Sequence, residues 1–154
     1  MKKIALLLTA VLLTATLTGC TKKTASDSEF EAKTKGTKLA VEFKKEIKQT
    51  TDLIQIAETL AESSDMICIT QEMEPGYFPG FDEEITGFKQ AVGFLPMIGT
   101  IPFVGYIFEV EKPKDFMKTL KSLANPRWNI CTEAEETVVV SEGKYVFFTM
   151  CPGE

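Results

Sequence analysis

The chain has 154 residues, with 17 Lys and Arg against 22 Asp and Glu, a formal net charge of −5 and no histidine. That acidic balance argues against nucleic-acid binding, which needs clustered cations. The missing imidazole removes Ser-His-Asp and Cys-His catalysis and leaves any thiolate without its usual base.

The chain opens with Met1, Lys2 and Lys3, followed by an uncharged stretch from Ile4 to Leu17. This is the pattern of a basic n-region and a short apolar h-region. At about 14 residues the stretch falls short of the roughly 20 that a membrane-spanning helix needs, so it reads as a cleaved export signal. Residues 1–19 are therefore expected to leave the mature protein.

Leu17-Thr18-Gly19-Cys20 resembles the lipobox of bacterial lipoproteins, in which a small residue precedes a cysteine that is diacylated before cleavage. The resemblance implies lipidation, typically with palmitate-like chains, at Cys20 and a palmitate-type membrane anchor facing outside the cytoplasm. Each buried methylene of such a chain adds ~0.8 kcal/mol of membrane affinity, so two or three chains hold a protein firmly. Residues 20–38, in which Phe30 is the only large apolar residue after Cys20, read as the lipidated Cys20 and a flexible tether. The remainder, residues 39–154, is about 115 residues, enough for one domain and too few for two.

Within that domain, Phe43, Ile47, Ile54, Ala57 and Leu60 recur at helical spacing from Leu39 to Ser64, which predicts one helix or a pair broken near Thr50 to Asp52. Met66 to Thr70 suits a short buried strand. Glu74 to Phe81 combines two prolines, two glycines and three aromatics and is expected to be a loop. From Ala91 to Phe108 there is no charged residue. Pro96, Pro102 and three glycines speak against a second membrane helix there, and favour a turn followed by a strand ending near Val110. Lys112 to Ala124 predicts a helix with Pro113 in its first turn and an apolar stripe of Phe116, Leu120 and Leu123. Thr137 to Val140 and Tyr145 to Met150 flank Ser141-Glu142-Gly143-Lys144 as a terminal β-hairpin. The expected class is α+β: a two-layer domain in which the helices cover a mostly antiparallel sheet.

Three stretches resemble small lipoproteins of anaerobic Gram-positive bacteria: Glu84-Ile85-Thr86-Gly87-Phe88, Pro96 to Phe103, and Arg127 to Ala134. The similarity spans roughly residues 50 to 150. It implies a shared fold and a surface location, with no activity attached, and it favours a single-membrane envelope over a periplasm.

Chemistry beyond the anchor is sparse. With Cys20 acylated, Cys68, Cys131 and Cys151 remain, permitting at most one bridge. Cys68, in Met66-Ile67-Cys68-Ile69, reads as a small buried hydrophobe, and a Cys131 to Cys151 bridge is an alternative. No Cys-x-x-Cys spacing, phosphate-cradling glycine motif or EF-hand spacing occurs, so no metal and no cofactor is expected. Two features remain as candidates for recognition. The rings Tyr77, Phe78 and Phe81 sit among Glu72, Glu74, Asp82, Glu83 and Glu84, and either dock an apolar, cationic partner or plug the sheet. Arg127 and Trp128, the single arginine and single tryptophan, follow a helix stop. There they either form a contact centre or cap the core edge, with Arg127 paired to a carboxylate. The expected function is a non-catalytic, membrane-anchored module that binds an envelope protein or peptide. The alternative is a small-ligand receptor or accessory subunit whose pocket is lined by the 91–108 stretch and the aromatic loop.

Overall fold

A computed structural model describes residues 31–153. The expected signal peptide and Cys20 lie outside the described residues. Three helices, α1 (Lys35–Glu46), α2 (Leu53–Ser63) and α3 (Pro113–Leu123), pack on a sheet of five antiparallel strands. The sheet strands are β1 (Cys68–Glu72), β4 (Gln90–Pro96), β5 (Val104–Glu109), β6 (Glu136–Glu142) and β7 (Tyr145–Cys151), in the order β1-β4-β5-β7-β6. Two short strands, β2 (Gly76–Tyr77) and β3 (Glu84–Ile85), form a separate ladder. This is the α+β class expected from the sequence, with the helix pair, the later helix and the terminal hairpin in place.

The layering is richer than two. Side chains alternate across a strand, and both sets are covered here. Val92, Phe94, Ile107, Val140 and Phe147 face α1 and α2. Tyr106, Phe108, Val146, Phe148 and Met150 face α3 and the loop that carries Phe78, Phe81 and Ile85. The sheet is thus the middle of three layers. This explains why every residue of β7 is buried and why its sequence is apolar on both faces rather than alternating, with Thr149 the one polar residue and its hydroxyl donating to Val104 O.

The folded part also begins earlier than the expected tether end at Lys38. Thr34 caps α1 and forms a reciprocal capping box with Thr37. Glu136 of β6 accepts hydrogen bonds from the Thr34 hydroxyl and, at 2.9 Å, from the Gly36 amide. A carboxylate at a helix N-terminus satisfies amides that have no intrahelical partner and complements the helix dipole. Gly36 is required by this seat, because a Cβ would press on the Glu136 carboxylate and Val138. The interaction is long-range and polar, so the low hydrophobicity of residues 31–38 concealed it.

Helix α2 starts at Asp52, whose carboxylate accepts from the amides of Ile54 and Gln55 at 3.0 and 3.2 Å. Asp52→Ala is expected to lower stability by about 1 kcal/mol, measured as a shift of the urea midpoint without a change in slope. Leu53, Ile56, Ala57 and Leu60 seat α2 on the sheet, and Phe43 of α1 stacks on Phe147 at 5.3 Å.

Candidate functional site

The second face of the sheet is closed by aromatic rings. Phe78 lies 5.2 Å from Tyr106 and 6.0 Å from Phe108, and Phe81 lies 4.5 Å from Phe148. The Tyr106 hydroxyl donates to the Pro79 carbonyl at 2.9 Å, holding the loop against β5. Phe78 and Phe81 are 3% and 7% exposed, whereas Tyr77 is 73% exposed. Of the two alternatives for these rings, Phe78 and Phe81 take the second, plugging the sheet, and their expected role as partner-binding residues is corrected. Two of the rings complete the core under the sheet, and only Tyr77 reaches solvent.

A cleft opens at one end of the sheet, and its origin is local. Pro96 ends β4, and the last β4–β5 pair is Phe94 with Gly105. Proline offers no amide for a further rung with β5, and after Met97, whose amide still bonds Ile67 O, residues 98–103 leave the sheet as a loop. On the other side of the cleft, α3 stops before Asn125-Pro126. Asn125 ties the following turn down: its amide donates to Gly80 O at 2.9 Å, its side chain donates to Asp82 at 2.6 Å, and its Oδ1 accepts from the Arg127 amide at 2.8 Å. That turn delivers Trp128 to the cleft. The two loops are joined by hydrogen bonds from the Asn129 side chain to Gly99 O at 2.7 Å and from the Thr132 hydroxyl to Thr100 O at 2.8 Å.

The cleft has a volume of about 530 Å³, and Leu95, Pro96, Ile101, Phe103 and Trp128 form much of its wall. Ile130, on its rim, is 99% exposed, and Met97 and Ile98 of the neighbouring loop are exposed as well. Lining side chains with hydrogen-bonding capacity are those of Trp128, through its indole N–H, Asn129, already engaged with Gly99, and Cys131. No carboxylate, lysine or arginine lines it. Such a surface can desolvate an apolar group; it offers no acid–base pair.

Of the residues singled out in the sequence, Trp128 lines this cleft. Arg127 is engaged with Glu133 at 2.8 Å, with both side chains exposed. An exposed ion pair of this kind contributes about 0–1 kcal/mol. Leu95, Pro96, Gly99, Ile101, Phe103 and Val104 of the uncharged stretch and Pro79 of the aromatic loop also reach the cleft. Ile130 was missed in the sequence. Its signal was a lone branched apolar residue in an otherwise polar loop beside the single tryptophan.

The three remaining described cysteines are free. The alternative Cys131 to Cys151 bridge is not formed, because Cys151 is buried on β7 in the core under α1 and α2 while Cys131 is exposed on the cleft loop. Burial pushes the Cys151 thiol up to about 11 from its ordinary 9.0, and raises Tyr106 as well. Cys68 is half-buried, 3.9 Å from the Ser64 hydroxyl, and its thiol is also raised by burial. Because the thiolate is the nucleophile, iodoacetamide is expected to label Cys131 rapidly in the native protein and Cys151 only after unfolding. The same burial predicts alkaline sensitivity. Between pH 9.0 and about 11 the unfolded chain loses the Cys151 proton while the folded chain keeps it. Stability therefore falls as pH rises through that window. Urea midpoints for Cys151→Ala should show a shallower decline there than the wild type.

Among the described residues no group of three or more Cys, Asp or Glu is placed to hold a metal, and no helix is long and apolar enough to cross a membrane. Comparisons with protein families, curated proteins and solved structures find no match to this chain.

Proposed function

We propose that this chain is a lipid-anchored, non-catalytic binding module of the bacterial cell envelope that receives an apolar side chain of a protein or peptide partner in the Trp128 cleft. The observation that carries the reading is the cleft itself: apolar walls, the exposed Ile130 in its lining, exposed Met97 and Ile98 on the adjoining loop, and no ionisable group other than the Cys131 thiol. Exposed apolar residues gathered around a concave surface are the usual mark of an interaction site. Tryptophan is favoured at the centres of such contacts. The anchor at Cys20, proposed from the lipobox-like stretch, and the polar segment after it would hold the domain at the outer face of the membrane.

A second reading, a small-ligand receptor or accessory subunit, is favoured by one observation: the cleft volume lies within the range of small-molecule sites. Trp128 is the chain's single tryptophan, so its emission reports on this cleft without interference. A titration with apolar peptides and, separately, with small apolar metabolites distinguishes the two readings. Saturable blue-shifted emission with peptides alone supports the protein-binding module. The same response to a single small molecule supports the receptor. An unresponsive Trp128 with both libraries contradicts both.

A further inference from the structure

β1 is the end strand of the sheet. Its register against β4 is fixed by the amide of Met97 bonding Ile67 O and the amide of Met73 bonding Ala91 O, both at 2.9 Å. In an antiparallel pair the groups facing the partner alternate with groups facing away. Ile67, Ile69, Gln71 and Met73 therefore turn their amides and carbonyls toward β4, and Cys68, Thr70 and Glu72 turn theirs to the open edge. Nothing among the described residues pairs with that edge.

The two sides of the edge differ in chemistry. On one side Ile67 and Ile69 are 77% and 52% exposed. On the other side, between α2 and β1, a groove of about 460 Å³ is lined by Glu58, Glu62, Cys68 and Thr70 together with Ala61 and Met66, and Ile67 reaches its end. Charge is equally one-sided. From Gln49 to Phe88 the chain carries nine Asp and Glu and no Lys or Arg. None of the nine enters an ion pair among the described residues. Natural sheets commonly protect an open edge with lysine or proline, and this strand has neither.

We propose that β1 is a strand-addition site for an extended, cationic segment of a partner protein, in which basic side chains alternate with apolar ones. Main-chain bonds to Cys68, Thr70 and Glu72 supply the common affinity of strand addition, and side-chain alternation supplies its selectivity. The register directs one set of side chains into the groove beside Glu58 and Glu62 and the other set onto Ile67 and Ile69. Lysines or arginines suit the first set and branched apolar residues the second. Pairing of two copies edge to edge would instead bring Glu72 and the α2 carboxylates against their like. This site adjoins the Trp128 cleft, since Ile69 pairs with Leu95 of the cleft wall and Ile67 bonds Met97. Amide exchange at the open edge and Trp128 emission nevertheless read the two independently, so failure of one proposal is distinguishable from failure of the other.

The test uses amide hydrogen exchange of the purified full-length protein with a synthetic peptide of alternating Lys and Val. The expected result is protection of the Cys68, Thr70 and Glu72 amides by about ten-fold or more, weakening with added salt. A Glu-Val peptide should give none. Thr70→Pro, which removes an amide facing the open edge, should abolish the protection. Should that variant fold poorly, the exposed-site reversal Glu62→Lys with Glu72→Lys should weaken binding about ten-fold while leaving the fold intact. Unchanged exchange at these amides at millimolar peptide, or equal binding of the Glu-Val peptide, overturns the proposal. So does protection already present without peptide, whether it rises with protein concentration, as for a second copy, or not, as for another segment of the same chain.

Discussion

Phe78→Ala is expected to destabilise the domain by about 3–5 kcal/mol, enough to unfold much of the population at physiological temperature. The ring is buried and lies within 6.0 Å of Phe88, Tyr106 and Phe108, at ring-contact distances. Its removal opens a cavity between the sheet and the loop that carries β2 and β3. The neighbouring backbone is held by the Tyr106 hydroxyl on Pro79 and by the Asn125 amide on Gly80, so the site cannot simply collapse. Tyr77→Ala, one position away and exposed, should stay within about 0.5 kcal/mol of the wild type. Urea unfolding followed by circular dichroism measures both. A Phe78→Ala protein of near-native stability would mean that this ring is not part of the core, and the aromatic loop would again be a docking candidate. The pair also cautions against using Phe78 or Phe81 substitutions as probes of binding, because a lost partner would reflect lost folding.

Gly105→Ala should cost about 1–3 kcal/mol, or more, although it adds a single methyl group to a strand. Gly105 stands opposite Phe94 across the β4–β5 ladder, and a Cβ there would run into the Phe94 ring. Phe94 cannot swing away, since it packs between Phe103 at 5.8 Å and Phe147 at 6.4 Å and is fully buried. The glycine thus provides room for a ring, and its backbone freedom is incidental. Shortening the ring should relieve the conflict. In a double-mutant cycle, Gly105→Ala combined with Phe94→Leu is expected to cost less than the sum of the single changes. Additive losses would show that the two residues do not share the space.

Local signals in the sequence carried the helices and the hairpin. Asp52 marked the break between α1 and α2, Pro113 marked the start of α3, and Gly143, at φ +57°, marked the final turn. Strand β4 was not legible, because its uncharged run merged with the loop around Pro96 into one stretch without periodicity. The second covered face was also hidden. Whether Phe78 points inward depends on Tyr106 and Phe108, nearly thirty residues later, and no local pattern in Glu74 to Phe81 records that contact. The early start of α1 depends on Glu136, about a hundred residues away in the chain. The cleft was partly legible. Trp128 and the uncharged stretch were both conspicuous in the sequence, but their meeting relies on the Asn129 and Thr132 bonds to Gly99 and Thr100, between loops some thirty residues apart.

We propose that the Trp128 cleft engages a protein at the cell surface. Site-specific photo-crosslinking in intact cells tests it most directly, with the crosslinker placed at Ile130 on the cleft rim and, as control, at exposed Lys118 on α3. A discrete adduct from Ile130, absent from Lys118 and competed by an apolar peptide that shifts Trp128 emission, is the predicted result. Identical adducts from both positions, or none from Ile130 in a protein confirmed to be folded and membrane-associated, would contradict it.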